Sequence, residues 1–209
     1  MESFFSIDGW LGKLGNYIFK ALGIGLLWLI GSAFIMTVGA STTAAYYTCL
    51  KYADGENPGM VQTFWKSYKE NFWQSIPLSL IWCALVVSLV YFYSHRTSFN
   101  QFGTGITSLY MIISLIVFCV FLNVFPILSK FNLKTFQLIK MSIVFCYVGG
   151  VTVVKTLLLL IISGVISIMI PGYICMAVGV FFLVTATFYH KVFSRLLENS
   201  CDDSEKVEF

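Results

Sequence analysis

The sequence predicts an all-α polytopic integral membrane protein, with about five transmembrane helices plus an amphipathic interfacial helix, and three observations predict it. Of its 209 residues, 58% are hydrophobic and 11% charged, with a mean hydropathy of +0.83; soluble domains carry nearer half and roughly a quarter. The uncharged runs Ala21–Leu50, Asn71–Ser94, Thr97–Ser129 and Thr156–Tyr189 each exceed the ~20 residues needed to cross ~30 Å of hydrocarbon. All ten acidic residues lie outside those runs, as expected where a carboxylate in lipid is costly.

These features also restrict function. The net charge of +3 comes from lysines scattered among connecting segments, which is an orientation signal and argues against a nucleic-acid partner. The six cysteines show no C-x-x-C or Cys/His ligand spacing, so they read as small packing residues, and neither a metal nor another cofactor is expected. No H-E-x-x-H, G-x-S-x-G, P-loop or dinucleotide-binding motif occurs, and no catalytic residue is assigned. The absence of membrane-embedded carboxylates argues against a proton- or sodium-coupled carrier.

The first span is placed at about 20–40. Its uncharged stretch is longer than the ~7–15 residues of a signal-peptide core, and Glu2 and Asp8 dilute the basic flank, so a retained helix is expected. In TVGASTTAAYYTCLKYADGE small residues replace Leu and Ile. Gly39, Ala40, Ser41, Ala44 and Ala45 there would let a helix kink or a second backbone approach closely; alternatively, Ser41, Thr42 and Thr43 would line a solute pathway.

Residues 62–73 read QTFWKSYKENFW. Val61, Phe64, Trp65, Tyr68, Phe72 and Ile76 recur at helical spacing on one face, with Gln62, Lys66, Lys69 and Glu70 opposite. Such a helix just before a span is expected in the headgroup interface, with Phe64, Trp65, Tyr68 and Phe72 as anchors. Its polar face, Lys66, Lys69 and Glu70, is a candidate partner surface.

The second span is expected at 75–93, with Pro77 near its start, and the third at 105–128, with Pro126 bending or ending it. The basic connection SKFNLKTFQLIK follows and adds Lys130 and Lys134 to the candidate partner contacts. Pro171–Gly172 divides the last apolar run into spans at 149–170 and 173–189, since an undivided helix would be too long for one crossing. Residues 1–190 then form a single transmembrane domain and 191–209 a polar cytoplasmic tail. Lys155 falls inside the fourth span, where it is expected to snorkel toward the interface, with a functional role as the alternative.

Five crossings place Lys13, Lys20 and Arg96 on one side and nine basic residues on the other. The positive-inside rule then puts the N-terminus outside and the C-terminus in the cytoplasm.

Three stretches, TVGASTTAAYY at 37–47, FWKSYKENFWQS at 64–75 and VFPILSKFNL at 124–133, together resemble the YesL/YteU family of small multi-pass membrane proteins. The features carrying the resemblance are Thr37 and Gly39 closing the first span; Phe64 or Trp65 with Tyr68, Lys69, Asn71 and Phe72; and Pro126 with Lys130 and Phe131. Many members carry a proline shortly before the T-x-G segment, where this chain has Phe34, so the residue that would enforce a sharp kink there is absent. The resemblance implies an association with carbohydrate use, because members are typically encoded beside sugar ABC importers and polysaccharide-degrading enzymes; it lends no catalytic residues.

The expected function is therefore a non-enzymatic membrane protein accessory to oligosaccharide import. Its partners would be the lipid bilayer and ABC importer permease subunits. The alternative is an autonomous transporter or channel for a neutral solute, with a membrane enzyme third.

Overall fold

The computed structural model describes residues 10–95, 104–131 and 133–207, and every regular element in them is helical. Seven α-helices follow one another: α1 Trp10–Gly31, α2 Val38–Ala53, α3 Met60–Ser94, α4 Thr104–Lys130, α5 Thr135–Val148, α6 Gly150–Met169 and α7 Ile174–Val207. Short 3-10 turns at Ile35–Thr37 and Pro171–Tyr173 precede α2 and α7. Among the described residues, five helices are long and apolar enough to cross a membrane, over Gly12–Gly31, Met60–Ser94, Gly105–Lys130, Gly150–Met169 and Pro171–Leu196. The chain is an all-α multi-pass membrane protein.

The first span lies about ten residues before its expected place. α1 ends at Gly31 and Phe34 is extended (φ −110°, ψ 140°), so a sharp break occurs without proline. Ser32 Oγ donates to the Leu29 carbonyl and Thr37 Oγ1 to that of Phe34, local bonds that compete with helix continuation. The T-x-G segment accordingly opens a new helix instead of closing the first.

That helix, α2, is the centre of the bundle. Gly39, Ala40, Ser41, Thr43, Ala44, Ala45, Thr48 and Cys49 are all buried, and it packs on α1, α3, α4 and α7. Small residues suit this place, because in lipid helices associate by close packing and not by sequestering large apolar groups. Its hydroxyls are satisfied locally: Thr42, Thr43 and Thr48 donate to the carbonyls of Val38, Gly39 and Ala44, and Ser41 to that of Trp28. The amide of Gly39, unpaired in its own helix, donates to Ser79 Oγ at 2.9 Å.

The expected interfacial helix and second span are one helix, α3, with Pro77 inside it; 35 residues extend ~50 Å. Its buried stripe is Phe64, Ser67, Ser75, Leu78 and Ser79, rotated from the expected aromatic face so that serines meet α2. Phe64 is therefore 0% exposed and belongs to the core, not to the membrane interface, whereas Val61 is 56% exposed. α4 continues through Pro126 to Lys130.

α5 occupies much of what the sequence suggests is a connection, and turns Leu138, Ser142 and Phe145 inward; Phe145 meets the rings of Tyr189 and Phe193 on α7. α6 starts at Gly150 and ends at Met169, within a residue of expectation at each end. α7 runs unbroken from the fifth span to Val207, so the expected tail is helical.

Helix directions follow from cross-contacts. A Cβ at Gly25 would overlap the Cys175 carbonyl, and one at Gly179 that of Ala21, which makes α1 and α7 close antiparallel neighbours. Lys20 reaches Asn57 before α3, and the Tyr68 hydroxyl reaches the Gly31 carbonyl, so α1 and the first half of α3 run the same way while α2 returns between them. The N-terminal end of α1 and the 190–195 region of α7 consequently share one end of the bundle. The expectation of termini on opposite sides rests on antiparallel first and second spans, whereas α1 and the first half of α3 run the same way.

Candidate functional site

The polar chemistry collects at that shared end. α2 closes on Asp54–Gly59, where Gly55 adopts φ +83°, a backbone conformation suited to glycine. The turn is held by Gly55 N–H to the Tyr52 carbonyl and Glu56 N–H to that of Lys51. It projects one carboxylate toward two other helices: Asp54 Oδ2 lies 3.1 Å from Lys130 Nζ at the end of α4, and Oδ1 2.8 Å from His190 Nε2 on α7. Beside it Glu56 pairs with Lys51 at 2.6 Å, and that hydrogen bond holds the Lys51 ammonium above its usual range.

A groove of about 450 Å3 opens between α2, α3 and the end of α4, with Tyr47, Glu70, Asn71, Lys130 and Phe131 among its walls. Asn71 Nδ2 donates to the Ser67 carbonyl, and Gln74 Nε2 to the Leu133 carbonyl at 2.6 Å. The latter bond straps the first half of α3 to the segment before α5. Thus the structure brings together the two basic stretches singled out in the sequence: Glu70 and Lys130 line one groove, while Lys66, Lys69 and Lys134 are exposed on its flanking elements. Trp65, Tyr68 and Phe72 are half-buried in a succession of ring contacts from Phe64 to Trp73.

Gly39, Ser41 and Thr42 lie elsewhere. Gly39 and Ser41 are buried at helix contacts, and of the three Thr42 alone borders a cleft of about 180 Å3, whose walls include Trp28, Trp82, Phe125 and Phe182. There Thr42 Oγ1 accepts from Trp28 Nε1 at 3.1 Å. Lys155 is exposed, with Nζ 5.3 Å from the centroid of the Phe188 ring, within cation–π range. Among the described residues no carboxylate pairs with it.

Sequence reasoning missed Asp54, Asn57 and His190. Nothing local marks them, because the turn meets α7 only through the tertiary fold. A carboxylate-oriented imidazole can serve a nucleophile, but the nearby Thr187 hydroxyl is bonded to the Val184 carbonyl and Lys130 shares the carboxylate. Among the described residues no group of three His, Cys, Asp or Glu side chains could hold a metal. The arrangement is suited to tying helix ends together and presenting charge.

A family model described as "Protein of unknown function, DUF624" matches residues 22–94, about a third of the chain, from the second half of α1 to the end of α3. The match is consistent with the YesL/YteU resemblance. No curated protein matches, and no solved structure does.

Proposed function

We propose that this protein is a non-enzymatic accessory subunit of the cell membrane, with both termini in the cytoplasm, that docks through the groove between α2, α3 and α4 onto a permease subunit of an oligosaccharide ABC importer. One observation carries the reading. Lysines and arginines of the described residues, Lys155 aside, lie on elements of the shared end, including Lys13, Lys20, Lys51, Lys66, Lys69, Lys130 and Arg195, whereas the α6–α7 turn at 170–173 has none. Basic residues favour the cytoplasmic side. Lys13 and Lys20 therefore join the majority that they opposed in the sequence count.

The importer as partner class rests on the family resemblance; docking as the mode rests on the exposed Lys66 and Lys69 beside a formed groove. A solute pathway draws less support, because the α2 hydroxyls are bonded within the bundle and the cleft beside Thr42 is walled largely by aromatic and aliphatic groups.

Purification in mild detergent tests the reading. Importer permease subunits are expected to co-purify, and Lys66→Glu with Lys69→Glu to reduce their recovery by about tenfold while the protein remains folded and inserted, since charged rim contacts govern association more than fold. Sugar uptake by the protein alone in liposomes, with cellular uptake unchanged by the charge reversal, would overturn it.

A further inference from the structure

We infer that a second cleft, between α1, the α2–α3 turn and α7, is a binding site for a phosphate-bearing anion. It encloses about 490 Å3 and is lined by Asn16, Lys20, Asn57, Thr187, His190 and Lys191 together with the buried Cys49, a size ordinary for a small-ligand site. The two helices present matching stripes. Asn16 and Lys20 are one turn apart on α1, and Thr187 and Lys191 one turn apart on the antiparallel α7.

The donors in this cleft outnumber its acceptors. Lys20 Nζ gives one hydrogen bond to Asn57 Oδ1 at 3.1 Å, which leaves two ammonium protons and the Asn57 NH2 group to donate elsewhere. Among the described residues its charge otherwise meets only the Tyr52 ring, 4.2 Å from the nitrogen. Among the described residues neither Lys20 nor Lys191 has a carboxylate within 4.0 Å. The two carboxylates of the neighbouring turn are engaged: Asp54 by Lys130 and His190, Glu56 by Lys51. What remains facing the cleft is net positive.

A phosphate group, with several acceptor oxygens and at least one full charge, matches this convergent set. Basic pockets between transmembrane helices at a membrane boundary bind phosphorylated headgroups for the same reason. Two sources share the chemistry, the headgroup of an anionic phospholipid and a free phosphate. The cleft lies across α2 from the docking groove and includes neither Lys66 nor Lys69, so the two sites stand or fall separately.

The test uses the purified full chain in phosphatidylcholine nanodiscs, followed by thermal unfolding. One arm adds phosphatidylglycerol to the bilayer and the other adds inorganic phosphate to the buffer. A rise in Tm of several degrees in the first arm alone identifies a lipid headgroup, and in the second arm without phosphatidylglycerol a free phosphate. Lys20→Gln with Lys191→Gln is expected to weaken the response at least about tenfold in ligand concentration, whereas Lys66→Gln with Lys69→Gln, an equal loss of charge, leaves it within about twofold. Lys191→Glu, at an exposed position, supplies the same readout if the double variant does not fold, and should abolish the response. No shift in either arm overturns the inference. Equal loss in the two double variants does so too, since it would mean diffuse surface charge.

Discussion

Lys20 Nζ lies 3.1 Å from Asn57 Oδ1, and this contact fixes how the first three helices relate. The residues belong to the middle of α1 and the turn before α3, so the chain must return along α2 between two helices that run the same way. The lysine reaches the turn by extending its alkyl stem toward the N-terminal end of its own helix, the direction in which helical side chains lean. A residue that looks in the sequence like a flank of the first span is thereby inside the helix.

The α1–α7 contact depends on two glycines that admit a backbone carbonyl where any side chain would sit. Gly25→Leu and Gly179→Leu are each expected to cost about 2–3 kcal/mol in detergent unfolding, by overpacking a helix contact. Gly164→Leu, where a Cβ meets open space, should be nearly neutral. Equal effects at the three positions would show that α1 and α7 do not approach closely.

Tyr189 donates to Asn123 Oδ1 at 2.7 Å, and both residues are fully buried. Tyr189→Phe removes the donor and leaves the amide oxygen unsatisfied, at a cost of about 1–3 kcal/mol. Replacing Asn123 by Leu as well should recover part of that loss. A double variant as destabilised as the sum of the single variants would indicate that the bond contributes nothing.

Lys155 is exposed, its ammonium faces the Phe188 ring, and among the described residues no carboxylate pairs with it. Lys155→Met should therefore leave insertion, unfolding midpoint and importer recovery unchanged. A loss of recovery with stability intact would instead assign the lysine a functional contact.

Legibility in the sequence differed along the chain for physical reasons. α6 is bounded by Gly149–Gly150 and Pro171–Gly172, breakers that act locally, and its limits agree with expectation. The separation of α1 from α2 hinges on the Gly31–Phe34 bend, which carries no proline. The sequence pattern divides α3 where polarity changes, yet Pro77 is accommodated within it. Phe64 reads in the sequence as a headgroup-interface anchor, because an amphipathic, aromatic-rich stretch just before a span favours that region; its burial reflects instead a neighbour, α2, made of small residues. The paired basic stretches were legible as candidates, but their meeting at one groove depends on the Gln74–Leu133 strap, and the Asp54–His190 pair on the return of α7.

The proposed placement of all this chemistry at one cytoplasmic end is tested most directly by impermeant thiol labelling on intact cells, scored as the increment over the parent chain. Lys13→Cys and Arg195→Cys, both at exposed positions of the basic end, should gain no label until the membrane is permeabilised, and Tyr173→Cys, at the exposed α6–α7 turn, should gain it at once. Labelling of Lys13→Cys from outside while Arg195→Cys stays protected would contradict the shared end, and labelling of both with Tyr173→Cys protected would reverse the orientation.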